Sequence, residues 1–63
     1  MLTAKTKARR GAAQELGDAH VAYEMALADY SAQPCDEYAR RVKATARRLA
    51  RANAAVAAFE GGQ

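Results

Sequence analysis

The sequence lacks most of the residue types from which small active sites are built. In 63 residues it has no Trp, one Phe, one Pro, one Cys and one His. A lone cysteine cannot form a disulfide within the chain, and a single histidine and cysteine fall short of the three or four converging ligands that zinc requires. The sequence therefore predicts no disulfide, no metal site and no cofactor.

Pairs of residues that would carry catalysis are also missing. Cys35 has no histidine or asparagine placed to activate it, and no two carboxylates are obviously paired for acid–base chemistry. We therefore expect a non-enzymatic protein with no catalytic residues and no small-molecule substrate. His20 falls within a helical apolar pattern, which favours a neutral core histidine over a pH switch. Cys35 is expected to be an ordinary reduced cysteine in a turn.

Long apolar runs are absent as well. No stretch approaches 18 apolar residues, so the sequence predicts no membrane span. The basic N-terminus is not followed by the apolar core of a signal peptide. Together with the lone cysteine, which fits a reducing compartment, this predicts a cytoplasmic protein.

Alanine dominates what is present. There are 18 alanines against four glycines and one proline, and no apolar–polar alternation of the kind that marks strands. The sequence predicts an all-α fold, an antiparallel two-helix hairpin with a heptad seam that oligomerises into a helical bundle. We expect a basic, fraying arm over residues 1–11 and a hairpin over 12–60, with helices at about 12–32 and 36–60, a turn at 33–35 and a flexible tail at 61–63.

Apolar and small residues recur in alternating steps of four and three, which is the spacing of a heptad seam. In the second helix the predicted seam is Tyr38, Val42, Thr45, Leu49, Ala52, Val56 and Phe59. In the first helix it is Ala13, Leu16, His20, Tyr23, Leu27 and Tyr30, flanked by Ala12, Ala19 and Ala26. Pro34 ends the first helix, and the short connection predicts that the two helices lie antiparallel.

Charge is segregated into blocks. Residues 1–12 carry only cations, residues 13–37 only anions, and residues 38–58 only cations. Placed at about 100° per residue, the second cationic block spans roughly 160° opposite the seam. The candidate contacts to a partner or to nucleic acid are Arg40, Arg41, Lys43, Arg47, Arg48 and Arg51, with Lys5, Lys7, Arg9 and Arg10 in the arm.

The first helix carries a second apolar stripe on the side away from its predicted seam. Its members are Val21, Met25, Ala28 and Ala32. A single core in so short a chain rarely supplies more than about 3–5 kcal/mol. The stripe is therefore predicted to be an oligomer interface rather than a set of scattered surface residues.

Two functions fit this sequence. The first is a small interaction protein that binds itself or a protein partner through complementary charged and apolar helix faces. The alternative is a nucleic-acid-binding regulator that uses the basic face and the basic arm, since cations on one helix face suit phosphates. No aromatic residue interleaves with those cations, which argues against base stacking.

Overall fold

The protein is a hairpin of two long α-helices. The computed structural model describes residues 4–61, in which α1 spans Ala4–Ala32 and α2 spans Asp36–Gly61. No strand occurs in residues 4–61. The predicted all-α hairpin is confirmed. The ends of the predicted arm and tail, residues 1–3 and 62–63, lie outside the described residues.

The turn between the helices follows from its local chemistry. Pro34 cannot extend α1, because it has no backbone N–H and its ring clashes with the preceding turn. The Gln33 amide closes α1 by donating to the Asp29 carbonyl at 2.9 Å, and the Ala39 amide opens α2 by donating to the Cys35 carbonyl at 2.9 Å. Asp36 and Glu37 occupy the first turn of α2, where the positive end of the helix dipole favours carboxylates.

α1 starts well before the predicted hairpin. It is helical from Ala4, so the described part of the predicted arm continues α1 rather than standing apart from it. Gly11 and Gly17 do not interrupt the helix, although each costs about 1 kcal/mol relative to alanine. Lys5 lies in the first turn, where the helix dipole disfavours a cation. Fraying of this segment in solution stays a prediction.

The hairpin is a thin rod with a small core. Its principal dimensions are 47 × 21 × 12 Å, and its radius of gyration is 14.5 Å, against about 11 Å for a compact chain of this length. Among residues 4–61 the buried apolar residues are Ala19, Ala26 and Ala52, and no larger side chain is fully buried. Alanine at these positions lets the two helix backbones approach closely.

The packed side of α1 differs from the predicted one. Ala19 and Ala26, expected on a flank, are buried, whereas His20 is exposed. Leu27 and Tyr30, expected in the core, keep 38% and 40% of their surface exposed. The prediction of a core histidine is therefore wrong. Compared with the prediction, α1 is rotated about its axis so that its smallest side chains face α2. This orientation lets the two backbones approach closely but leaves larger side chains such as Leu27 and Tyr30 partly exposed.

The packed side of α2 has the expected composition. Its positions Tyr38, Val42, Thr45, Leu49, Ala52, Val56 and Phe59 are all partly or fully buried. These residues face an α1 surface made largely of alanine. Regular heptad packing between the helices stays a prediction.

Candidate interaction surfaces

The second apolar stripe of α1 faces outward, and we call it the outer apolar face. It consists of Val21, Met25, Ala28 and Ala32, all of which are exposed. Val21 keeps 56% and Met25 63% of its surface accessible, the largest values among the exposed large apolar residues of the described chain. Both lie near the middle of the 29-residue helix α1, so the helix backbone sets their relative positions.

An open cleft of about 340 Å³ runs between the helices beside this face. Its walls are mostly small side chains, contributed by Ala22, Met25, Ala26 and Asp29 from α1 and by Arg41, Ala44 and Thr45 from α2. Met25 therefore belongs both to the outer apolar face and to the cleft wall. The cleft widens the apolar surface of α1 into a continuous area that reaches α2.

One charge of each sign borders the cleft. Asp29 lies on the α1 side and Arg41 on the α2 side. Arg41 forms a 3.3 Å ion pair with Glu37, and its guanidinium carbon lies 5.4 Å from the centre of the Tyr38 ring. The Thr45 hydroxyl donates to the Arg41 carbonyl at 2.7 Å, so it is already used within α2. The cleft thus offers an apolar floor with an acidic and a basic rim.

A bidentate ion pair ties the two helices together. Arg48 Nε and one of its terminal nitrogens donate to the two carboxylate oxygens of Glu15, each at 2.7 Å. The Arg48 hydrogen bond is the main cause that lowers the pKa of Glu15, and the Glu15 hydrogen bond raises the pKa of Arg48. Arg51 adds to the electrostatic field that lowers the Glu15 pKa. This contact across 33 residues helps to set the register of the hairpin.

The structure divides the predicted basic face of α2 in two. Arg41 and Arg48 point along the sides of the hairpin, where both are ion-paired. The other four cations are exposed, and none forms an ion pair with a carboxylate within residues 4–61. We call this set, Arg40, Lys43, Arg47 and Arg51, the outer basic stripe. At about 100° per residue its members fall within roughly 80° of one another on α2.

The cations of the predicted arm do not form a comparable face. Lys5, Lys7, Arg9 and Arg10 are exposed on the first turns of α1. At about 100° per residue they are spread over roughly 200° of the helix circumference. The cations of the arm are therefore spread more than twice as widely as those of the outer basic stripe.

The two residues with the most reactive side chains lie apart. His20 is exposed on α1, and Cys35 is a partly buried free thiol at the turn. About 18 Å of helix separates His20 from the end of α1. Across residues 4–61, no three His, Cys, Asp or Glu side chains are arranged to hold a metal ion.

Sequence reasoning missed the cleft and the Glu15–Arg48 pair. Both follow from the rotation of α1, which brings Ala22 and Ala26 to the helix interface and aims Glu15 at α2. The regular seven-residue spacing of Ala12, Ala19 and Ala26 was the available signal. Choosing that alanine row as the packed side would have placed Glu15 beside α2.

Neither helix has, in its described residues, the length of apolar sequence needed to cross a membrane. Comparison of the chain with protein-family models, with curated proteins and with solved structures finds no match. The surfaces described above are therefore the basis for proposing a function.

Proposed function

We propose that this protein is a non-enzymatic helical interaction protein that associates with a second copy of itself through the outer apolar face and the adjoining cleft. The observation that carries the proposal is the incomplete burial of the hairpin's own apolar residues. Val21 and Met25 are more than half exposed, while only alanines are buried among the described residues. A second hairpin on this face would cover side chains that the first hairpin leaves in water.

The amount of exposed surface matches the size of a dimer interface. The chain exposes 4858 Å², whereas a compact monomer of 6.7 kDa exposes about 3,900 Å². The excess of roughly 950 Å² is close to the ~800 Å² that each partner contributes to an interface of standard size. Association of two hairpins therefore returns the exposed surface per chain to the range of a compact protein.

Charge favours a second copy as the occupant. The cleft has Asp29 on one rim and Arg41 on the other, so a twofold arrangement can place each Asp29 near the Arg41 of the second copy. An interface with twofold symmetry makes every such contact twice. These ion pairs at the rim would select the orientation more than they would add affinity. Met25, at the edge of the cleft, is flexible enough to fill the small-walled cleft of the other hairpin.

The proposal includes no catalytic role. His20 and Cys35 lie far apart on the hairpin, so within residues 4–61 no histidine lies beside Cys35 to activate the thiol. The features that the chain does provide are extended faces, which suit binding.

Substitution of the outer apolar face tests the proposal. Met25→Lys places a charge at the centre of the face and should shift the protein from dimer to monomer in sedimentation velocity. Each hairpin should stay helical by circular dichroism, because Met25 contributes little to the hairpin's own core. Ala13→Lys adds the same charge at an exposed position of α1 outside the face and should leave the dimer intact. Equal dissociation by both variants would contradict the proposed interface.

A further inference from the structure

The outer basic stripe is the second surface of the hairpin without a partner. Its residues follow one another in steps of three, four and four, so one lies on each turn of α2. From Arg40 to Arg51 the stripe runs about 16 Å along the helix. It lies on the side of α2 that faces away from α1, so association through α1 leaves it exposed.

The stripe keeps most of its positive charge unopposed, although Arg51 contributes to the electrostatic field at Glu15 of α1. No Asp or Glu occurs between Tyr38 and Phe59, and the stripe makes no ion pair within the described chain. Like charges four residues apart destabilise a helix. The stripe contains two such pairs, Lys43 with Arg47 and Arg47 with Arg51. A ligand with regularly spaced negative charges would convert this repulsion into attraction.

We propose that the outer basic stripe binds the phosphate backbone of duplex nucleic acid without reading its sequence. Three of its four members are arginine, whose planar group pairs with two phosphate oxygens. Each duplex strand carries one phosphate per ~3.4 Å of helix axis, so a 16 Å stripe lies opposite about four or five of them. The stripe therefore has the charge, length and side-chain chemistry for several consecutive phosphates.

The surroundings of the stripe favour duplex nucleic acid over other anions. No aromatic residue lies between its cations, so the stripe cannot stack the bases of a single strand. The residues beside it are mostly alanines, without the large apolar anchors that dominate protein interfaces. The partly buried apolar side of α2 packs on α1, so it is not available to insert into a lipid surface together with the cations.

The salt dependence of binding tests this site in the full chain. Fluorescence anisotropy with short labelled duplexes of DNA and of RNA gives the affinity at several salt concentrations. If all four cations engage phosphates, the logarithm of the DNA affinity should fall against the logarithm of salt with a slope of about −3.6 per hairpin, which is roughly a 150-fold loss for a fourfold rise in salt. RNA serves to show whether the same site accepts a duplex of different groove shape.

A matched pair of variants locates the site. Arg47→Gln with Arg51→Gln should halve the slope, leaving roughly a 12-fold loss for the same rise in salt. Lys5→Gln with Lys7→Gln removes the same charge from α1 and should leave the slope unchanged. The proposed binding site is contradicted if the two double variants weaken binding equally or if neither duplex binds at low salt. It is also contradicted if poly-glutamate competes as well as an amount of duplex that carries the same charge. Failure here leaves the dimer of the proposed function untouched, because its sedimentation does not depend on nucleic acid.

Discussion

At the scale of single residues, the Glu15–Arg48 pair is the most specific contact in the hairpin. Two hydrogen bonds of 2.7 Å use both carboxylate oxygens and two guanidinium nitrogens, a geometry that fixes orientation as well as distance. The α1 side of the interface is largely alanine, so it offers few side chains that interlock with the partly buried residues of α2. We infer that this pair holds the register that the core leaves weakly defined.

The pH dependence of stability should report this pair. Because the pKa of Glu15 is lowered from its ordinary value of 4.5 in the folded protein, its contribution is fully present above pH 4.5 and is lost as pH falls through the folded pKa. Glu15→Gln should therefore lower the melting temperature near neutral pH and lose that effect in acid. Circular dichroism melts of both proteins across this range measure the difference.

Glu24→Gln is the control for this measurement. It removes a carboxylate that is exposed on the same helix and forms no ion pair within residues 4–61. It should lower the melting temperature near neutral pH less than Glu15→Gln does. A constant difference between the unmodified protein and Glu15→Gln from neutral to strongly acidic pH would show that the pair does not stabilise the hairpin.

At the scale of the helices, the hairpin is held by close contact between small side chains. Ala19 is fully buried between α1 and α2, so Ala19→Leu must push the helices apart or distort its own rotamer. Overpacking of this kind costs about 1–3 kcal/mol. Ala13→Leu adds the same atoms at an exposed position and should change the unfolding free energy by no more than about 0.5 kcal/mol.

Denaturant unfolding of the two leucine variants gives both values. A larger loss for Ala13→Leu than for Ala19→Leu would mean that α1 packs through the side predicted from its larger residues. The side seen in the structure would then be wrong.

The sequence predicted α2 better than α1, for a physical reason. In α2 the large apolar residues and the cations occupy opposite sides, so only one side can pack. In α1 the row with Leu16 and Tyr23 competes with the alanine row beside it, and local spacing favours neither strongly. Which of the two rows packs against α2 depends on how closely the helices approach, and that distance is set by tertiary packing rather than by local sequence. The hairpin followed from Pro34 and the short connection, whereas the cleft depended on the rotation of α1.

At the scale of the whole molecule, the hairpin presents two different faces on its two outer sides. The outer apolar face lies on α1 and the outer basic stripe on α2, with the thin alanine core between them. A dimer joined through α1 would carry one basic stripe on each far side. The two stripes would then point in opposite directions, so each hairpin would meet its own duplex.

Self-association is the central claim, and sedimentation equilibrium of the unmodified chain tests it most directly. Over a range from low to high micromolar protein, the average mass should rise from that of one 6.7 kDa chain toward twice that value. The exposed outer apolar face and the roughly 950 Å² of excess surface are the reasons for proposing this result. A mass that stays at one chain throughout the range would contradict the account, and the outer apolar face would then not join two copies.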